Sequence, residues 1–204
     1  MDVKPTRSEL IKLKNRIKLA KSGYKLLKKK RDGLILEFFD ILKETKTVRK
    51  ELSEKYKEAL RKLSVARIID GDLALKSVSM AIKNKPFIEV SNKNIMGVIV
   101  PSIQSENIKK EIIERGYGIV NTSAAINEAS AAFEELLEYV ILVAEVETSM
   151  MRLLEEIDKT KRRVNALEYE VIPKMMNIKN FITLRLEEQE RETIFRSKRI
   201  KKKR

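Results

Sequence analysis

Neither cysteine nor histidine occurs among the 204 residues of this chain, and tryptophan is missing too. Without thiols there is no disulfide, no thiolate nucleophile and no cysteine-ligated zinc. Without imidazole, histidine-ligated haem and histidine-based acid–base catalysis are also excluded. Glycine occurs six times and proline four times, mostly near the ends of the periodic stretches or between them, so few loops are expected. Aromatics supply only 5% of residues while 36% are charged, which is too little bulk for a thick core but enough for a narrow seam with charged flanks. The longest strongly apolar run, 139–144, falls far short of the roughly 20 residues a membrane span needs. The opening Met-Asp-Val-Lys-Pro-Thr-Arg has no apolar signal core. A soluble, intracellular chain is expected, in which the sequon Asn121-Thr122-Ser123 is fortuitous.

What is present is heptad spacing at both ends. Leu10, Leu13, Ile17, Ala20, Tyr24, Leu27, Arg31, Leu34, Phe38 and Ile41 alternate by three and four, the pattern that seams one helix on another. Thr6 or Ser8 can cap this arm, with Glu9 completing a capping box for Thr6. The seam is expected to continue through Val48, Leu52, Tyr56, Leu60 and Leu63, with a run of four-residue steps near Tyr56, and to end or weaken at Gly71. A second set, Met150, Leu153, Ile157, Val164, Leu167, Val171, Met175, Ile178 and Ile182, marks the C-terminal arm. Its alanine-rich first turns (Ala124, Ala125, Ala129, Ala131, Ala132) suit a close partner helix. Pro173 falls inside its periodic run, and the pattern predicts a kinked helix there rather than a helix end.

Between the arms, Pro86 and Pro101 bound a strand–turn–strand pattern, with Phe87–Val90, the polar turn 91–94, and Ile95–Val100. A lone hairpin is marginal in water, so it is expected to pack on the coil or on another subunit. The predicted fold is mainly α, a long antiparallel two-helix coiled coil of N- and C-terminal arms with a short helix and a small β-hairpin in the middle. Its predicted domains are an N-terminal arm over 1–71, a middle region over 72–121 with the hairpin at about 87–100, and a C-terminal arm with a basic tail over 122–204.

Charge supports the antiparallel orientation. Residues 43–67 carry nine basic and four acidic side chains, whereas 124–158 carry nine acidic against Arg152 alone, so antiparallel pairing sets opposite charges side by side. Residues 1–31 hold twelve basic against two acidic side chains, and 191–204 hold eight against Glu192. These two stretches contain the whole basic excess and are expected to lie together at one tip, where a partner or salt must screen them.

No catalytic constellation is found. Gly71-Asp72-Leu73-Ala74-Leu75-Lys76-Ser77 lacks the second glycine of a phosphate loop, and Gly116-Tyr117-Gly118 reads as a turn. Glu134/Glu135 and Glu187/Glu188 are adjacent on a helix and face different ways. Arg31 at a seam position is read as snorkelling or register-setting. The tail Arg196–Arg204 is the one real constellation, either a solubilising end, a phosphate-contacting segment or a basic shaft end held in a protein socket.

Pro5-Thr6-Arg7, the run 26–34, Arg162–Glu168 followed by Ile172-Pro173, Leu186–Glu192, Lys198–Lys201 and Asn94–Val98 together resemble the D subunit of the archaeal and vacuolar-type rotary ATPases. The resemblance covers nearly the whole chain, with a shorter tail after Lys201 than relatives can have. It implies a non-catalytic central rotor axle, on the cytoplasmic face of the membrane as a peripheral part of the ATP synthase, without a cofactor or metal of its own. The implied partners are the catalytic A and B subunits as a hexameric sleeve, the F subunit, and the C subunit towards the membrane ring. Lys28, Lys30, Arg31, Arg163, Arg191, Lys198 and Arg199 are expected to face the hexamer, and Phe87, Ile88, Met96 and Val98 to offer a contact on the hairpin. Arms of this length would make a shaft on the order of 100 Å. A basic coiled coil binding nucleic acid or acting as a scaffold is the alternative, and a prefoldin-like chaperone a weaker one.

Overall fold

A computed structural model describes residues 4–82, 86–111, 114–118 and 122–202. The chain runs through α1 (Arg7–Ala81), β1 (Phe87–Ile95), β2 (Val98–Glu106), α2 (Ala124–Ala166), a π-helical turn at Leu167–Val171, and α3 (Ile172–Lys202). It divides into two compact units, one of residues 1–34 with 157–204 and one of 35–156.

Thr6 caps α1, its Oγ1 accepting the Glu9 amide at 3.2 Å. The heptad then continues further than expected. From Leu10 to Ala66 every position of the 3-4 repeat is buried or half-buried, including Thr45, Lys55, Ala59 and Lys62. The anticipated four-residue steps do not occur, since Tyr56 is 51% exposed and Leu60 lies at the outer margin, while Ala59 and Ala66 are fully covered. The reason is chemical. Alanine is a weak hydrophobic signal in a sequence, and Lys55 lays its aliphatic stem along the seam while its ammonium reaches Glu135 at 2.9 Å. Helical geometry then breaks at Gly71, whose φ of 80° and ψ of 165° belong to glycine's own region, before one short helical segment ends at Ala81.

In the first unit Arg7 meets Glu190 at 2.6 Å, and the covered seam comprises Ile17, Leu34, Thr160, Val164 and Ile182. A parallel pairing starting from Arg7 beside Glu190 would carry Leu34 past the end of the chain. Only an antiparallel one covers it. The proline costs the helix little here, because Ile172 donates to the Leu167 carbonyl in a π-type bond just before Pro173. The wider turn relieves the clash between the proline ring and the preceding turn, and hydrogen bonding resumes through α3.

The second unit is also antiparallel, since partners on one helix fall in number as those on the other rise. Arg49 meets Glu147 at 3.8 Å, Lys55 meets Glu135, and Asp70 accepts the Ser123 hydroxyl. Its seam is made of small residues. Ala59 packs with Ala132 and Leu136, and Ala66 with Ile126 and Ala129.

The hairpin differs from its predicted form. Its turn is Met96–Gly97, both at positive φ, rather than 91–94, and Asn94 Oδ1 accepts the Gly97 amide at 2.8 Å. Two successive positive-φ residues give the turn a twist that matches paired strands, and this extends the ladder from Phe87↔Glu106 to Ile95↔Val98. Pro101 therefore lies inside β2 instead of closing it. A two-stranded sheet has only edge strands, where a missing amide is tolerated.

Candidate partner-binding surfaces

The residues expected to face a partner fall into two sets, one on each unit. In the first unit, α1 brings Lys28, Lys30 and Arg31 to one level, and the antiparallel pairing places Arg163 of α2 near that level. Arg31 is half-buried on the seam and its guanidinium holds Asp32 at 2.7 Å, so it is satisfied within its own helix. Lys28 lies 5.8 Å from the centre of the Tyr24 ring.

Arg191, Lys198 and Arg199 are elsewhere. Since Arg7 already sits beside Glu190, residues 191–202 extend past the start of α1. The basic tip expected from the sequence is therefore drawn out, with Arg31 roughly 35 Å along the helix from Arg7 and Glu190 and the tail continuing the other way. All residues of α3 from Glu187 to Lys202 are exposed. Local pairs support this free helix: Arg191 with Glu187 at 3.9 Å and Arg196 with Glu192 at 3.3 Å, with the acid one turn before the base in each. Ile194, Phe195 and Ile200 stand 56–76% exposed on it. A lone helix of this length is marginal in water, and these apolar side chains are left largely uncovered by the described residues. In the sequence Phe195 stands out as an isolated aromatic, whereas Ile194 and Ile200 are hidden among charges.

In the second unit the hairpin has two unlike faces. Val98 and Val100 are buried, 8% and 2% exposed, and Arg152 of α2 donates to the Ile99 carbonyl at 2.8 Å, which ties the hairpin to the helix. Val98 therefore packs inward and cannot contribute to an outward contact. Placing the turn at 96–97 instead of 91–94 resets the strand register, and register decides which side chains face out. Ile88 and Met96 remain exposed, and the ladder adds Val90 and Ile99, 60% and 56% exposed, on the face that carries Ile88. Phe87 is 62% exposed but lies on the opposite face, in register with Glu106.

Below the hairpin, residues 114–118 are fastened to α2. Arg115 donates from Nε and Nη2 to the two oxygens of Glu134, each at 2.9 Å, and from Nη1 to the Asn127 carbonyl at 3.2 Å. Tyr117 donates its hydroxyl to Asn127 Oδ1 at 2.9 Å. Burial alone would push the Arg115 guanidinium's pKa down, but its hydrogen bonds to Glu134 and Tyr117 more than offset this and leave it raised. A mostly apolar cavity of about 360 Å³ lies beside this pair, with Leu75, Val78, Ile108, Ile126 and Phe133 in its wall.

Antiparallel helix pairs with a narrow seam, exposed apolar side chains on a helix end and on a hairpin, and a strong basic excess define a mainly helical, coiled-coil-like protein. A family profile described as the D subunit of ATP synthase matches residues 9–202. The chain is 56% identical to the A-type ATP synthase D subunit of Methanococcoides burtonii, over 98% of both chains. It is 53% identical to that of Methanoregula boonei over 98% of this chain and 96% of the relative. The Haloarcula marismortui protein of the same name is 51% identical over 99% of this chain and 88% of the relative, which is therefore the longer of the two. The chain belongs to the D-subunit family of ATP synthases. Among the described residues no helix is long and apolar enough to cross a membrane, so it joins such a complex without a helical span of its own there.

Proposed function

We propose that this chain is the central-stalk subunit of an A-type ATP synthase, an axle that carries rotation between the membrane ring and the catalytic A and B subunits on the cytoplasmic face. The free end of α3 carries this reading most directly. A helix exposed on every side, with Ile194, Phe195 and Ile200 uncovered, suits a socket that surrounds it, and Arg191, Lys198 and Arg199 would meet that socket's wall. Lys28, Lys30 and Arg163 would meet the sleeve at the opposite end of the first unit from the tail. Phe87, Ile88 and Met96 on the hairpin, joined by Val90 and Ile99, suit the non-catalytic stalk partners, the F and C subunits. Chemistry on nucleotide belongs to A and B, and this chain couples it to proton or sodium transport by turning.

The absence of cysteine supplies the test. Lys29→Cys places one thiol on the exposed surface of α1, to be cross-linked by oxidation to a cysteine introduced in a surrounding subunit. Cross-linking should stop ATP turnover by the assembled complex, and reductant should restore it. Full turnover in a completely cross-linked complex would mean that this chain does not turn.

A further inference from the structure

Charge in the first unit is segregated in a way that total counts conceal. Between Glu9 and Asp32, α1 has no carboxylate at all, and between Glu170 and Glu187 the opposing helix has none either. The antiparallel pairing that sets Arg7 beside Glu190 puts these two acid-free stretches face to face. The basic side chains at their margins have acidic neighbours: Arg7 with Glu190, Lys12 with Glu9, Arg31 with Asp32 and Lys174 with Glu170.

Further in, five lysines sit in a line. Lys14, Lys18, Lys21, Lys25 and Lys28 are all exposed and recur at steps of four, three, four and three residues, so they share one flank of α1 beside the seam. The line spans about 21 Å at the rise of an α-helix. Among the described residues none of the five pairs with a carboxylate, and Lys28 alone has another contact, with the Tyr24 ring. The other flank of the same helix differs, for it presents Leu19 and Leu26, 75% and 69% exposed. That flank also carries Lys12, which is held by Glu9, together with Arg16 and Lys30, so the two flanks differ not in sign but in arrangement: the regular five-lysine line lies on one of them, roughly 130° from the leucines at 100° per residue.

We propose that the lysine ladder is a docking strip for an acidic protein surface on the subunits that surround this part of the chain. Lysines suit that role better than arginines would, because each is a flexible, hydrated point charge that can change partners without a fixed bidentate geometry. Because the regular line of five runs along a single flank, a ring of like subunits meets it at one position at a time. The proposal rests on the axle reading for the identity of its partner, though not for the existence of the ladder.

The test uses the full chain carrying Lys14→Gln, Lys18→Gln, Lys21→Gln, Lys25→Gln and Lys28→Gln together. Its control neutralises five exposed lysines of the other unit: Lys43, Lys46, Lys50, Lys57 and Lys76. Circular dichroism verifies helix content in both. Association with the A and B subunits is measured against salt concentration, with poly-L-glutamate and a single-stranded polynucleotide as separate probes. The ladder variant should associate on the order of tenfold more slowly at low salt and lose most of the salt dependence, whereas the control stays near wild type. Equal losses in both variants, or none in the ladder variant, overturn the strip. Tighter binding of the polynucleotide than of poly-L-glutamate, dependent on the ladder, overturns it in favour of nucleic acid. Failure of the wild-type chain to associate with A and B at any salt removes the axle reading, while ladder-dependent capture of poly-L-glutamate would still support an acidic partner.

Discussion

Removing the Glu134 carboxylate should damage the second unit more than any surface change would. Arg115 and Glu134 have side chains only 8% and 17% exposed, and they meet through two parallel bonds of 2.9 Å. Glu134→Ala leaves a buried guanidinium with the Asn127 carbonyl and a long contact to Tyr117. Breaking a buried pair from one side costs about 3–5 kcal/mol, and the remaining carbonyl argues for the lower end, about 3 kcal/mol. Glu134→Gln keeps the shape and one acceptor and should cost about half as much, as expected of a neutral hydrogen bond replacing a charge-assisted one. The double variant Arg115→Met/Glu134→Leu removes both charges and extends the apolar wall of the adjoining cavity, so it should lie within about 1 kcal/mol of wild type. Urea denaturation followed by far-ultraviolet circular dichroism measures all three, and hydrogen exchange over 107–118 localises the loss. No dependence on pH is expected from Arg115 itself. Its raised pKa makes a contribution that is complete below the ordinary arginine value and lost only as pH rises through the folded one, beyond any working pH. A Glu134→Ala loss under about 1 kcal/mol, or a double variant as unstable as the single, would refute the claim that burial makes this pair matter.

Gly71→Ala should cost about 1–3 kcal/mol through the backbone alone, because nothing lies within 4 Å of the added Cβ while φ is 80° and ψ 165°. Gly71→Asn should not recover the loss, since asparagine's tolerance applies to the left-handed helical region and not to this ψ; thermal melts compare the two, and a neutral Gly71→Ala would show that the break is not strained. Acidification should loosen the helices at Glu170 and Glu58, whose carboxyls are held below the ordinary value of 4.5 by Lys174 at one and by Lys62 and Lys55 at the other. For such depressed groups the stabilisation is present above the unfolded value and is lost as pH falls through the folded one. Melts from about pH 6 down to about pH 3 should therefore decline less in Glu58→Gln/Glu170→Gln than in wild type, and equal slopes would contradict this assignment.

The arms are legible in the sequence because hydrophobic period is a repeated signal, and Leu10 to Ile41 or Met150 to Ile182 state it many times over. The middle of α1 is less so. Ala59 and Ala66 carry the seam there with one methyl group each, while Tyr56 and Leu60 look more hydrophobic and point away. Thr160, 1% exposed, fills a gap between Ile157 and Val164 that no apolar residue marks. The turn at Met96–Gly97 is hidden because methionine is a poor advertisement for positive φ, whereas 91–94 has turn-like composition but pairs as strand. Of the surface expected on the hairpin, Phe87, Ile88 and Met96 are exposed and Val98 is not, a consequence of register rather than of residue type. The split between the α1 lysines and the C-terminal tail is beyond sequence reading, because it depends on where the two helices fall out of step at their ends. Arg7 beside Glu190 fixes that, and no periodicity reveals it.

One heptad therefore serves two different chemistries. Along the second unit the flanking charges answer each other within the chain, as Lys55 does Glu135 and Arg49 does Glu147, and the seam is narrowed by alanines. What that unit leaves for a partner is apolar: Ile88, Val90, Met96 and Ile99 on a hairpin fixed by Arg152. Along the first unit the seam is bulkier, with Ile17, Leu34, Val164 and Ile182, and can hold the helices together without help from its flanks. Charge there is free to be directed outward, and an acid-free band facing an acid-free band leaves it nowhere else to go. Seam strength and flank charge thus trade places along one repeat. Apolar contacts are short-ranged and hold a fixed partner, whereas exposed charges act across a Debye length of about 8 Å and tolerate movement past a partner. That division follows here from which residues flank the seam within each unit.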